Sequence, residues 1–201
     1  MRRTPTSPTP GLDLDPVSGL LLSARQVPSP NSDERPAGVT ADLIIVHGIS
    51  LPPGEYGGPW IDHLFTNTLP PAVHPYFEEV RELRVSSHLL LRRDAELVQY
   101  VPFHRRAWHA GASSWQGRER CNDYSIGIEL EGTDASPYEP GQYAMLARVI
   151  VRLCSAYPAL GPGRVVGHSD VAPGRKSDPG IAFDWPLLHA LVRYELEVAP
   201  A

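Results

Sequence analysis

Leu43-Ile44-Ile45-Val46-His47 is the stretch on which the fold turns. Its continuous apolar run is the pattern of a strand buried on both faces, and it delivers His47 at its end. Val165-Val166 is a second, shorter strand that leads to His168. Ser125 to Glu131 alternates cleanly, with Ile126, Ile128 and Leu130 on one face and Gly127, Glu129 and Glu131 on the other. His88 to Leu91 and Leu97 to Val101 bracket Arg92-Arg93-Asp94-Ala95-Glu96, which predicts a β-hairpin. A short helix is expected near Trp60 to Phe65, after the Pro- and Gly-rich loop Ser50 to Gly58. From Pro140 to about Ala156, Tyr143, Leu146, Ala147, Ile150, Leu153 and Cys154 form one apolar helical stripe. Pro140 suits a first helical turn. A last helix covers roughly Trp185 to Glu195.

Strands and helices intermix, which predicts an α/β (α+β) fold: one domain, a mixed central β-sheet and flanking helices. Residues 1–17, rich in Pro, Ser and Thr, are expected to be a disordered N-terminal extension, with the folded domain over 18–197. At 201 residues the chain is long enough for one sizeable core. Its net charge of −5 argues against nucleic acid as the main partner, because phosphate binding needs a basic face. Two cysteines, Cys121 and Cys154, are too few for a disulfide framework and fit a reducing compartment. MRRTPTSPTPGLDLD holds no apolar run that would serve as a signal-peptide core, and no segment approaches a membrane span, so the cytoplasm is the expected location. The sequence carries no signal of oligomeric state.

His47 and His168 each follow a short apolar strand, where an open sheet presents functional groups at its carboxyl ends. Asp178 follows in a loop bounded by Pro and Gly that can fold back beside His168. Two imidazoles and one carboxylate, with a fourth position left to water, form a recognised catalytic zinc set. The spacing matches no short metalloprotease motif. On pattern alone, hydrogen-bonded strand-end histidines and a turn-capping Asp178 account for the same residues. Glu129 is placed to take and redeliver a proton. Glu131 shares its face, and an edge-strand solubility charge is a third account of the same carboxylate. Lys176 is the single lysine of the chain, every other basic side chain being arginine. A compact ammonium on a flexible stem suits an oxyanion, whereas guanidinium is a planar, permanently charged fork.

Longer blocks add a resemblance. They are His47 to Gly54, Leu83 to His88, Val98 to Phe103, Ala107 to Gly111, Gly117 to Asp123, Ser125 to Gly132, Gly167-His168 and Arg175 to Gly180. In these blocks, and from about Leu20 to Glu195, the chain resembles the AmpD-type 1,6-anhydro-N-acetylmuramyl-L-alanine amidases. These are cytoplasmic members of the zinc N-acetylmuramoyl-L-alanine amidase family, which act in cell-wall recycling. The resemblance implies that family's fold and one Zn2+ per chain on His47, His168 and Asp178. It implies proton transfer by Glu129 rather than Glu131, and oxyanion stabilisation by Lys176. The implied substrate is a small anhydro-muropeptide, cut between the lactyl group of the sugar and L-alanine.

Such a ligand carries carboxylates. Arg84 and Arg120 are therefore candidate forks, and Trp108 a candidate sugar platform, each with a purely structural alternative. His88 and His109 are expected to be hydrogen-bonded wall histidines, not ligands. Two rival functions remain at this point: the same chemistry on intact peptidoglycan, and muropeptide binding without catalysis. Three departures from the family pattern stand out: Gly48 for Asn, Ala95 for the Gly of a hairpin turn, expected to shift the turn type, and Ser169 for Cys.

Overall fold

The computed structural model describes residues 12–198. A six-stranded sheet is built from β1 (Arg25–Gln26), β2 (Leu43–Ile49), β3 (Leu89–Leu91), β4 (Leu97–Gln99), β5 (Ser125–Glu131) and β6 (Val165–Gly167). Its order is β6-β2-β5-β3-β4-β1. β6, β2, β5 and β3 run parallel, the hairpin β3-β4 is antiparallel, and β1 is parallel to β4. The sheet is mixed, as expected. The helices are α1 (Trp60–Phe65), α2 (Pro75–Val80), α3 (Pro140–Ala156), α4 (His168–Val171) and α5 (Trp185–Val198).

Alternation assigns the two faces. Ile44 and Val46 of β2, with Ile126, Ile128 and Leu130 of β5, pack under Leu146, Ile150 and Leu153 of α3 and Leu188 and Val192 of α5. Burying each such side chain contributes about 1.5–3 kcal/mol, so this face anchors the sheet. The start of α3 is tied to the same strands. The Gln142 side-chain oxygen accepts from Glu139 N–H at 2.9 Å, while its amide donates to the carbonyls of Leu91 and Glu131, each at 3.1 Å. The opposite face carries Ile45, His47, Gly127 and Glu129. Leu43, Ile45, Cys121, Tyr124 and Val171 cover one part of it, and α1 and α2 close over Leu90 and Val98 with Phe65 and Phe77.

Several expectations change. The extension read as 1–17 lies outside the described residues as far as 11. From Leu12 the chain is already part of the fold: Leu14–Asp15 pairs antiparallel with Leu20–Leu21, and Leu14 is buried in the main core. Glu129 is not on an edge strand, because β5 lies between β2 and β3 and all seven of its residues are buried. At the hairpin turn Ala95 has φ +69°, in the left-handed region that costs a non-glycine residue about 1 kcal/mol. Helix α2 was not anticipated. Its signal was Pro75 at the first turn, after His74, whose Nδ1 accepts from Tyr76 N–H at 3.1 Å.

Candidate metal centre and active site

Strand register assembles the site. Glu129 of β5 is paired with His47 of β2, and Gly167 of β6 with Val46, which brings His168 level with His47. Three adjacent parallel strands thus deliver their functional side chains at their carboxyl ends. Asp178 arrives by a fold-back of the following loop: Ser169 N–H donates to the Asp178 carbonyl at 3.0 Å, and Lys176 N–H to Ala172 O at 3.0 Å. Arg175 pins this loop to its neighbour by donating to the carbonyls of Ala110 and Ala112 at 2.6 and 2.7 Å. Beyond Asp178, Gly180 has φ +85°, and a Cβ there would collide with the Asp134 backbone, so only glycine fits.

His47 Nδ1 lies 3.0 Å from His168 Nδ1, and Asp178 Oδ2 lies 3.3 Å from the first and 3.0 Å from the second. Tetrahedral zinc with bonds of about 2.0–2.1 Å separates neighbouring ligand atoms by about 3.3 Å, so the triangle has the edge lengths of such a site. The protonation pattern agrees. His168 Nε2 is 3.3 Å from the Ala110 carbonyl, which only accepts, so that nitrogen carries the proton and Nδ1 presents a lone pair. A lone pair, a facing imidazole nitrogen and a carboxylate oxygen at these distances suit a shared cation. The residues fit zinc in donor type, count and spacing.

Beside this triad lies a cavity of about 550 Å³. Its lining has a polar part, with His47, His168, Glu129, Thr133, Asp134 and Lys176, and an apolar part, with Leu51, Leu64, Phe65, Tyr76, Leu83 and Val85. Glu129 is buried, and its Oε2 has no hydrogen-bond partner among the described residues. Burial, reinforced by the negative charge of Asp178, pushes its carboxyl well above the ordinary range. Glu131 is differently employed: it accepts from Gly57 N–H at 2.7 Å, Arg92 at 3.3 Å and Arg93 N–H at 3.3 Å, anchoring the loop beside the cavity. Lys176 is exposed on the wall and forms no ion pair among the described residues.

The other expected site residues lie elsewhere. Trp108 donates its indole N–H to Asp33 at 3.2 Å and is absent from the cavity lining. Arg120 pairs with Asp123 and lines a separate depression with Glu119 and Arg175. Arg84 is half exposed beside Glu82, between the wall residues Leu83 and Val85. Gly48 lines the cavity, and a Cβ there would run into the Tyr138 hydroxyl, which donates to the Pro179 carbonyl at 2.9 Å. The absence of a side chain at 48 thus leaves room for the contact that braces the residue after Asp178.

Burial also governs the histidines. It lowers His47 to about 4, His88 to about 3 and His109 well below the usual value. Between pH 6.5 and 4 the unfolded chain takes up protons that the native imidazoles refuse, so stability falls as pH falls. Glu129 acts in the opposite sense: above the ordinary carboxylate range the unfolded chain releases a proton that the native protein keeps, so stability falls as pH rises. Three imidazoles outweigh one carboxyl below pH 6.5. Thermal scans of the chelator-treated protein should therefore show a falling Tm from pH 6.5 to 4.5, and Glu129→Gln should flatten the alkaline side. A Tm independent of pH across this range contradicts the neutral buried histidines.

Comparison with known proteins identifies the family. A family profile described as N-acetylmuramoyl-L-alanine amidase matches residues 37–181. The chain is 59% identical over 177 residues to the 1,6-anhydro-N-acetylmuramyl-L-alanine amidase AmpD of Escherichia coli K12, covering 88% of this chain and 96% of the relative. It superposes on the crystal structure of a selenomethionine AmpD derivative with a TM-score of 0.85 and 59% identity, covering 87% of this chain and 97% of the other. A more distant match, with a TM-score of 0.56, 28% identity and coverage of 79% and 60%, is the E. coli amidase AmiD in complex with anhydro-N-acetylmuramic acid-L-Ala-D-γ-Glu-L-Lys. Family profile, near full-length identity and shared fold agree: this chain is an enzyme of the N-acetylmuramoyl-L-alanine amidase family.

Proposed function

We propose that the chain is a zinc-dependent amidase that hydrolyses the amide between 1,6-anhydro-N-acetylmuramic acid and L-alanine of muropeptides, in the cytoplasm, during cell-wall recycling. The observation that carries this reading is the convergence of His47 Nδ1, His168 Nδ1 and Asp178 Oδ2 within 3.0–3.3 Å beside a cavity that also holds Glu129 and Lys176. The names of the AmpD relatives support the substrate, as does the anhydro-muropeptide held by the related AmiD. Free Cys121 and Cys154 fit a reducing compartment.

His47, His168 and Asp178 would hold one zinc ion, which when bound would supply Lewis acidity and lower the pKa of water to about 7. The chain's own groups do the rest. The Glu129 carboxylate removes a proton from the attacking water and redelivers it to the alanine nitrogen. Burial and the negative charge of Asp178 raise its affinity for a proton, which favours the step in which it takes one from the water. The Lys176 ammonium donates to the amide oxygen as negative charge grows there. With no ion pair among the described residues, that charge is available. Leu51, Phe65 and Val85 line the same cavity and offer an apolar surface to the substrate. Arg84, between two wall residues, is assigned to a stem-peptide carboxylate at the rim; Trp108 and Arg120 have no part in this reading.

The test is a mass-spectrometric assay of the purified protein on anhydro-muramyl tripeptide, its non-anhydro counterpart and intact peptidoglycan, each with and without chelator. Release of the tripeptide from the anhydro substrate, abolished by chelator and restored by zinc, is the expected result. Cleavage at another bond, chelator-resistant turnover, or preference for intact peptidoglycan contradicts it.

A further inference from the structure

We propose that His109, backed by Ser125, is a positioning residue that holds the His47 imidazole in the tautomer a metal ion requires. The inference rests on the zinc reading above. It begins at a backbone carbonyl. Ser125 Oγ lies 2.6 Å from Cys121 O and 3.2 Å from His109 Nε2. A carbonyl only accepts, so the single hydroxyl proton points at Cys121, and Oγ must accept from His109 Nε2–H. A neutral imidazole has one N–H, which leaves His109 Nδ1 as an acceptor. That atom is 2.9 Å from His47 Nε2, which therefore donates. The remaining nitrogen of His47, Nδ1, is thereby stripped of its proton and faces His168 Nδ1 and Asp178 Oδ2.

Two further observations point the same way. An ideal Cβ on Gly127 would lie 2.5 Å from His109 Cγ and 2.6 Å from its Nδ1. Position 127 of β5 therefore has no side chain, because the His109 ring fills that space. Asn122 Oδ1 accepts from the backbone N–H of both His109 and Ala110, at 3.1 and 2.7 Å. The Ala110 carbonyl is in turn the partner of His168 Nε2. One braced dipeptide thus holds the outer nitrogens of both imidazoles, through a side chain on one and a carbonyl on the other.

Isosteric substitutions separate this role from simple packing. His109→Asn puts an amide oxygen near the place of Nδ1 and keeps an acceptor, whereas His109→Leu has similar bulk and none. Zinc affinity is measured by chelator competition on the full chain, with the melting temperature of the metal-free protein alongside. His109→Leu should weaken zinc about 10- to 100-fold, while His109→Asn stays within about threefold of wild type. Both lose the same ring, so a merely structural role lowers both melting temperatures and does not split the two affinities. Equal affinities, or His109→Leu binding as wild type does, overturn the proposal. If His109→Leu does not fold, Gly127→Ala carries the test: its Cβ displaces the ring and should weaken zinc, and unchanged affinity overturns the proposal. Failure of the wild type itself to bind zinc contradicts the zinc reading and this inference together. Wild-type binding with unaffected variants contradicts this inference alone.

Discussion

Asp178→Ala is expected to give a folded protein whose zinc affinity is about 10²- to 10⁴-fold weaker and whose amide hydrolysis is undetectable. The magnitude follows from sharing a zinc-binding free energy of about 10–16 kcal/mol among three ligands, each contributing about 3–5 kcal/mol. Folding survives because the loop is not held by the lost carboxylate. Ser169 N–H grips the backbone carbonyl of residue 178, and the Tyr138 hydroxyl grips that of Pro179. Removing the carboxylate also relieves the negative charge that helps to raise the Glu129 carboxyl. Bound zinc after dialysis against chelator and turnover by mass spectrometry should fall together. A variant that is active without zinc would reject the assignment of Asp178.

Lys176→Ala separates binding from chemistry. Its ammonium forms no ion pair among the described residues, and the backbone N–H of residue 176 still reaches Ala172 O at 3.0 Å. Fold and zinc content should therefore stay at wild-type values. The loss should fall on kcat, by about 10²- to 10³-fold, as when one oxyanion donor is removed, with KM little changed. Lys176→Arg should restore little, because a planar fork cannot take the place of a compact ammonium on a flexible stem. Unchanged turnover in Lys176→Ala would remove the lysine from the mechanism.

Strand identity was legible because each strand announces itself locally. The apolar run of Leu43 to Val46, the alternation of Ser125 to Glu131 and the paired runs around Arg92 to Glu96 all appear as strands. The 17-residue helix from Pro140 to Ala156 has the bounds its stripe and initial proline suggest. Register was not legible, since the pairing of Glu129 with His47 depends on contacts between segments far apart in the chain. Alternation put Glu129 and Glu131 on one face and had no means of choosing between them. Their difference lies in Arg92 and the loop at Gly57, which satisfy Glu131 and leave Glu129 with an unpartnered oxygen. His109 was read as a wall histidine; Gly127, on the same face as Glu129, was the sequence signal that a ring passes close to that strand. The apolar part of the lining escaped because Leu51, Phe65, Tyr76 and Val85 come from separate loops and short helices, with no shared period.

Zinc K-edge X-ray absorption on the purified protein is the most direct measurement of what holds the ion. The account predicts a first shell of nitrogen and oxygen alone, at about 2.0–2.1 Å, with outer-shell scattering from two imidazoles. Loss of one imidazole should follow His47→Ala and, separately, His168→Ala. A sulfur ligand at about 2.3 Å, or an imidazole count unchanged by either substitution, would contradict it.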